Sequence, residues 1–230
     1  MNNLQTALAL VLEPKSAIGE IEARPRFLFP LLLTVLVTGA ALVWYYSIVD
    51  AAWLIDTSIR SNPNARQMTE EQMALVSRFM TRNTLMYGGL FGVVFISVVF
   101  RLLEATWYLL AGKVTNVQRS FKQFFSLACW TSLPQVLAVL PAIPLLLTTK
   151  SPQTEPGALS PLSLNELVFH RGIGEPGYNL LANINLLHIF TVFLVVYGIK
   201  LWSGRSWLFA SVYVLLPCLL IGGVWALVAF

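Results

Sequence analysis

Charged residues are scarce in this 230-residue chain. Asp, Glu, Lys and Arg make up 11% of it, whereas 57% of the residues are hydrophobic. Soluble domains carry about 25% charged residues. A single soluble core of this length could not cover so much apolar surface, so the composition excludes an ordinary soluble domain.

Cysteine and histidine are also rare, with two residues of each. Cys129 and Cys218 lie in separate apolar runs, which argues against a disulfide framework and predicts buried free thiols. His170 and His188 stand in no metal-ligand spacing, and the sequence has no P-loop, nucleophile elbow or dinucleotide fingerprint. We therefore expect no catalytic residue, no metal and no cofactor.

Long apolar runs are what the sequence does contain. Five of them reach the length of about 20 residues at which an apolar segment predicts a transmembrane helix. They are continuous rather than alternating, which favours helices over barrel strands. The predicted fold is all-α, an integral membrane bundle of five transmembrane helices that forms one domain over residues 1–230. The predicted spans are about 27–48, 84–111, 124–147, 180–202 and 208–230.

Two segments outside these spans are long enough to interpret. Residues 1–26 mix leucine and isoleucine with charges of both signs, which is typical of an interfacial segment, and a solvated lead-in helix is the alternative. Residues 149–178 are rich in Pro, Gly and Ser, which predicts a loop with at most one short helix around Leu162–Phe169. We expect most of this loop to carry no essential contact of the fold.

Lysine and arginine residues cluster at the ends of the spans. Eight lie on the side that the N-terminus would share and six in the longer opposite segments, so the positive-inside rule predicts a cytoplasmic N-terminus and an outer C-terminus. There is no basic stripe with interleaved aromatic residues, so we expect no nucleic acid, and anionic lipid headgroups are the simpler partner. The predicted headgroup contacts are Lys15, Arg24, Arg26, Lys113, Arg119, Lys122, Lys200 and Arg205.

Arg101 and Glu104 interrupt the second apolar run near its middle. A charge at the bilayer centre costs about 2.5–3.5 kcal/mol on the insertion scale. The i, i+3 spacing places both charges on one helix face, where they can pair. A serine and a tyrosine extend this face, and the fourth span carries an asparagine and a histidine at the same spacing. The predicted intramembrane polar network is Ser97, Arg101, Glu104, Tyr108, Asn185 and His188. It is either a packing network or the lining of a path or pocket.

Proline and glycine mark two further features of the spans. Pro134, Pro141 and Pro144 fall in the third span, and each removes a backbone donor, which predicts helix kinks. Such kinks occur in transporters and in inert bundles, and we favour the second interpretation. Gly88 and Gly92 have the GxxxG spacing, which allows close helix approach.

Three stretches resemble the bacterial YIP1 family of membrane proteins. The stretch "LVLEPKSAIGEIEARPRFLFPLLL" is similar to the family's opening segment. The stretch "SFKQFFSLACWTSLPQVL" resembles its Ser-Phe-x-Gln segment, here at 120–123, with a Leu-Pro step at 133–134. The stretch "LLANINLLHIFTVFLVVYGIKLWSGRSWLFASVYVLLP" resembles its last pair of spans, in which Gly198 closes the fourth span. The resemblance implies five spans, a cytosolic N-terminus and a bacterial inner-membrane location.

The leading functional hypothesis is a non-enzymatic membrane protein that scaffolds or modulates membrane partners or lipids. Its expected partners are the lipid bilayer and other membrane proteins or a second copy of the chain. The alternative is a small transporter or channel with a polar path at Arg101 and Glu104. A membrane-embedded enzyme has less support, because the sequence contains no nucleophile–base pair or metal set.

Overall fold

The computed structural model describes residues 1–61, 68–148 and 151–229, with side chains as far as residue 225. Residues 149–150 of the predicted loop and Phe230 of the predicted fifth span lie outside this description. The described part is helical, and its one β-bridge is isolated. The α-helices are α1 (Asn3–Leu12), α2 (Pro14–Ala23), α3 (Leu28–Ile48), α4 (Ala51–Arg60), α5 (Glu70–Phe79), α6 (Arg82–Thr115), α7 (Phe121–Thr131), α8 (Ala142–Thr148), α9 (Tyr178–Asn183), α10 (Leu186–Ser203) and α11 (Trp207–Ala229).

Five helical segments are long and apolar enough to cross a membrane, which confirms the predicted all-α fold with five spans. They are Leu28–Ile48, Arg82–Thr115, Phe121–Thr148, Leu186–Ser203 and Trp207–Trp225. The chain also divides into two compact units. The first unit contains Met1–Leu36, Phe95–Leu137 and Leu187–Val224, and the second contains the residues between these ranges and the last six of the chain.

Helix α7 is the centre of the first unit. Every residue from 124 to 131 is buried, although the helix belongs to a predicted membrane span. The buried side chains include Phe124, Leu127 and Trp130, and residues of α2, α6, α10 and α11 belong to the same hydrophobic cluster. A helix that is buried on all sides needs apolar residues around its whole circumference, which the sequence "FFSLACW" supplies.

The N-terminal segment folds as a helical hairpin that packs on this core. Ala17, Ile18 and Ile21 of α2 are almost fully buried. The carbonyl oxygen of Arg26, where the hairpin leads into α3, accepts hydrogen bonds from the indole of Trp130 and the hydroxyl of Ser126. The segment predicted as interfacial is therefore held to α7 by apolar burial and by hydrogen bonds from α7 side chains to the Arg26 carbonyl.

The third span is not one continuous α-helix. A 3₁₀ segment, Leu133–Val139, separates α7 from α8. Pro134 lies in this segment, Pro141 lies just before α8, and Pro144 lies in the first turn of α8. Proline lacks the backbone N–H of an α-helical turn and disfavours the α conformation in the residue before it, which explains why the α-helix stops here.

In the second unit, the segment expected to be a loop without essential contacts packs against the end of α3 and the residues that follow it, and the expectation that most of it is dispensable stays a prediction. The hydroxyl of Tyr45 donates to the carbonyl of Thr154 at 2.7 Å, and the amide of Asp50 donates to the carbonyl of Pro152 at 2.7 Å. Ala158 is buried in a cluster with Tyr45. Composition identified a loop, but the loop's carbonyls accept bonds that composition cannot show.

Arg82 connects the start of α6 with the end of α3, also within the second unit. Its guanidinium donates to the carbonyl oxygens of Tyr46, Ser47 and Val49 at 2.6, 3.0 and 3.0 Å. The last carbonyls of an α-helix have no partner within the helix, and the helix dipole makes that end attractive to a cation. Arg82 therefore supplies hydrogen-bond donors to the carbonyl groups at the C-terminal end of the first span.

The close helix approach occurs beside the predicted GxxxG pair rather than at it. A Cβ atom added at Gly88 or Gly92 would meet no atom of the described chain within 4 Å. One added at Gly89 would lie 3.0 Å from the side chain of Leu42. The register of α6 therefore directs a neighbouring glycine, and not the spaced pair, at α3.

Gly198 lets α10 approach α7 closely within the first unit. A Cβ atom added at Gly198 would lie 2.9 Å from a methyl group of Leu127. Leu127 is fully buried, so its side chain has little room to move. Overpacking a filled core typically costs about 1–3 kcal/mol.

We therefore expect Gly198→Ala to lower the free energy of unfolding by about 1–3 kcal/mol. Thermal unfolding in detergent measures the change. Gly88→Ala is the matched control, because Gly88 also lies in a long apolar helix but its Cβ position is open. An equal melting temperature for Gly198→Ala and the wild type would contradict the close contact with Leu127.

Candidate functional site

Arg101 and Glu104 form an ion pair within α6. The guanidinium Nη1 and the carboxylate Oε2 lie 2.7 Å apart, and the side chains are 16% and 30% exposed. Their i, i+3 spacing on one helix brings them to the same face. The two charges thus neutralise each other inside a predicted span, where each one alone would be costly.

The same guanidinium faces the last turn of α7. Its Nη1 lies 3.5 Å from the carbonyl oxygen of Ala128, a long hydrogen bond. The hydroxyls of Thr131 and Ser132 donate at 2.8 and 2.9 Å to neighbouring carbonyls of that turn. These three donors surround the end of α7, where the chain changes to the 3₁₀ segment. A cation near a helix C-terminus is favoured by the helix dipole. Arg101 therefore supplies both a donor and a positive charge to the C-terminal end of α7.

Ser97 and Tyr108 occupy opposite ends of the predicted polar face on α6. Ser97 is half-buried, whereas Tyr108 is buried. The ring of Tyr108 stacks on that of Tyr213 with centroids 6.1 Å apart, and the Tyr213 hydroxyl donates to the carbonyl of Tyr108. Tyr108 therefore joins α6 to α11 through its ring and its backbone.

Asn185 and His188 lie at the beginning of α10. Asn185 belongs to the second unit, where its backbone forms the isolated bridge with Ser163, and His188 belongs to the first. The preceding residue, Ile184, is extended, so α9 ends at Asn183 and the spanning helix begins at Leu186. Contact of the asparagine and histidine side chains with the Arg101–Glu104 pair stays a prediction.

A polar pair that sequence reasoning missed lies in the first unit. The amide of Gln135, in the 3₁₀ segment, donates to the hydroxyl of Thr191 in α10 at 3.3 Å. Neither residue is charged, so the pattern of charged residues and histidine in the spans does not point to them. The position of Thr191, three residues after His188, is the signal that could have found it, because residues three apart share a helix face.

Two of the predicted headgroup contacts are engaged with carboxylates. Arg119 pairs with Glu22 at 2.6 Å and donates to the carbonyl of Trp202 at 3.3 Å. Arg26 pairs with Glu20 at 3.0 Å. Lys200 lies 5.1 Å from the ring centroid of Trp207. The remaining predicted contacts are exposed: Lys15, Arg24, Lys113, Lys122 and Arg205.

Titratable groups outside the spans are perturbed in the second unit. Burial raises the pKa of Glu155, and the negative charges of Glu166 and Glu175 raise it further. Burial also raises the pKa of Tyr178 to about 12. A carboxyl group with a raised pKa favours folding in its protonated form, so its contribution to stability is lost as the pH rises through that pKa.

The cysteines and metal-ligand groups give no sign of a reactive centre. Cys129 is buried, but Cys218 is exposed on α11, so the expectation of two buried thiols is wrong for the second. Apolar composition cannot distinguish the two because one side of a spanning helix faces lipid. Within the described ranges, no group of three or more His, Cys, Asp or Glu side chains could hold a metal ion.

The five apolar helices and the ion pair within the second span define a polytopic α-helical membrane protein. A family model described as the Yip1 domain matches residues 8–229. This match covers nearly the whole chain, so the protein belongs to the Yip1 domain family. No curated protein and no solved structure matches the chain. Family membership supports the membrane fold and assigns no activity.

We expect Arg101 and Glu104 to act as one energetic unit. Removing one member of a buried ion pair costs about 3–5 kcal/mol, because the other charge is left unpaired. Arg101→Leu and Glu104→Leu should each destabilise the protein, and the double leucine variant should recover much of the loss. Thermal unfolding of the three variants in detergent gives the coupling energy of this cycle.

Strict additivity of the two single losses would contradict the pairing. Arg78→Leu serves as a control for the removal of an arginine, because Arg78 is exposed on α5. It should change the melting temperature little, since exposed surface substitutions typically alter stability by less than about 0.5 kcal/mol.

Proposed function

We propose that this Yip1 domain protein is a non-enzymatic scaffold or modulator that acts on membrane partners or lipids. The observation that carries the proposal is that the charges inside the second span contact each other and a neighbouring helix. Arg101 contacts Glu104 and the end of α7, so the pair has a structural role within the first unit. Because these charges are engaged in packing, we assign the interactions with partners to the outer surfaces of the helices.

Those outer surfaces are strongly apolar. Leu103 on α6 is 61% exposed and Leu219 on α11 is 68% exposed. Within a bilayer such side chains contact lipid or the apolar helices of another protein. Association between membrane helices depends on packing and on small residues, so a second copy of this chain and a different membrane protein are both partners of the proposed kind.

Photo-crosslinking in native membranes tests the scaffold function. A photoreactive amino acid placed at Leu103 or Leu219 should give discrete protein adducts, identified by mass spectrometry. Placement at Leu75, an exposed residue of α5 outside the spans, is the control and should not give the same adducts. Adducts with lipid alone at both spanning positions would reject a protein scaffold.

A small transporter or channel is the second candidate, and one observation favours it. The Glu104 side chain is 30% exposed despite its partner. An intramembrane carboxylate of this kind is typical of ion and proton paths. In this function the Arg101–Glu104 pair lines a path in addition to holding α7.

Accessibility of single cysteines distinguishes the two functions. In a variant without Cys129 and Cys218, cysteines placed at Ser97 and Phe100, which leave the Arg101–Glu104 pair intact, should not react with a membrane-impermeant thiol reagent if the protein is a scaffold. A cysteine placed at Arg60, outside the spans, provides the positive control. Rapid labelling at Phe100, one turn before Glu104, would move the transport function ahead.

We further propose that the protein lies in a bacterial inner membrane with the N-terminus in the cytoplasm and the C-terminus outside. The bias of lysine and arginine toward the short segments supports this orientation. Reporter fusions after Arg119 and at the end of the chain should report opposite sides of the membrane. The same side for both fusions would contradict three crossings between Arg119 and the end of the chain, and with them the five-span topology.

A further inference from the structure

An apolar groove lies between α6 and α11 in the first unit. It encloses about 350 Å³. We call it the α6–α11 groove. Its walls include Trp107, Ala111, Thr115, Phe209, Val212 and Tyr213. Val212 is 54% exposed at its edge, so the groove is open to the surface rather than closed as a core cavity.

The polar atoms of the groove walls are already used by the protein. The indole of Trp107 donates to the carbonyl of Tyr213 at 2.8 Å, and the hydroxyl of Thr115 donates to the carbonyl of Ala111 at 2.7 Å. The hydroxyl of Tyr213 donates to the carbonyl of Tyr108. The walls therefore present hydrocarbon to an occupant, and a polar ligand would find few partners along them.

A cation stands at one end of this groove. A guanidinium nitrogen of Arg205 donates to the carbonyl of Thr115 at 2.7 Å, and its central carbon lies 4.5 Å from the ring centroid of Phe209. Thr115 and Phe209 both line the groove. Arg205 is exposed beyond these contacts. A guanidinium carries five N–H donors in a fork that suits a phosphate group, and its position is fixed by the carbonyl and the ring.

We propose that the α6–α11 groove binds one anionic glycerophospholipid, with an acyl chain in the groove and the phosphate on Arg205. An apolar channel that ends at a fixed cation matches a molecule with a hydrocarbon chain and a negative headgroup. A free phosphate would use Arg205 and leave the groove empty, and an apolar helix would leave the cation without a counterpart. The inference rests on the proposed function in so far as both treat lipid as a partner.

Native mass spectrometry of the full-length protein in detergent tests this site. The protein is titrated with phosphatidylglycerol or with phosphatidylcholine of the same acyl chains. We expect one phosphatidylglycerol to bind in preference to phosphatidylcholine. Arg205→Gln should weaken its binding about tenfold, which corresponds to about 1.4 kcal/mol. Val212→Trp should weaken it similarly, because the indole fills the groove from its exposed edge without touching Arg205.

Two matched controls separate the site from general effects. Arg78→Gln removes an exposed arginine of α5 that is neither a groove residue nor one of the predicted headgroup contacts. Ile221→Trp adds an indole to α11 at a residue that is 68% exposed and lies half a turn out of phase with Val212. Both should stay within about twofold of the wild type, as expected for surface changes.

Three results would overturn the proposal. If phosphatidylglycerol binding is unchanged in both Arg205→Gln and Val212→Trp, the lipid does not bind in the α6–α11 groove. Equal affinity for the two lipids would reject an anionic lipid as the specific occupant, because phosphatidylcholine carries the same phosphate without a net negative charge. Displacement of the lipid by inorganic phosphate alone would reduce the site to an anion site. Failure of the photo-crosslinking experiment would leave this lipid titration unaffected, so the scaffold function and the lipid site fail independently.

Discussion

Carbonyl groups at helix ends are the constraint on which this structure depends. Each helix leaves its last four carbonyls without an internal partner, and hydrocarbon supplies no water to replace one. In the part of the chain that the structure describes, arginine side chains donate hydrogen bonds to carbonyl groups at four of these helix ends. Arg82 donates to the end of α3, Arg101 to α7, Arg119 to α10 and Arg205 to α6. Each guanidinium also places positive charge at the negative end of a helix dipole.

The break in the third span explains why one of these arginines lies inside the membrane. The other three helix ends lie near the ends of spans, but α7 stops at Thr131, in the interior of the third span. Its last carbonyls need donors at that depth, and Arg101 on the neighbouring α6 is one of them. An unpaired arginine there would be costly, so Glu104 follows one turn later and neutralises it. The prolines that end α7 thus create the need for a donor at that position, and the Arg101–Glu104 pair supplies it.

Sequence reasoning reached the features that depend on local patterns and missed those that depend on partners. The five spans follow from run length, and the Arg101–Glu104 pairing follows from helical spacing. The contacts of Gly198, Gln135 and the 151–178 segment depend on which helix faces which, and an apolar span shows little periodic variation from which to infer its buried face. The exposure of Cys218 was missed for the same reason.

The distribution of cations also changes how the orientation signal is interpreted. The positive-inside rule counts lysine and arginine alike, yet Arg119 and Arg205 donate to helix ends, whereas Lys15, Lys113 and Lys122 remain exposed. The three exposed lysines all belong to the segments predicted to be cytoplasmic. Lysine is a compact, strongly hydrated charge and arginine a planar fork that fits carbonyl and phosphate groups. These three exposed lysines therefore fit the predicted orientation, and Arg205, which holds a helix end and is exposed beyond that contact, is well placed to hold a lipid phosphate as well.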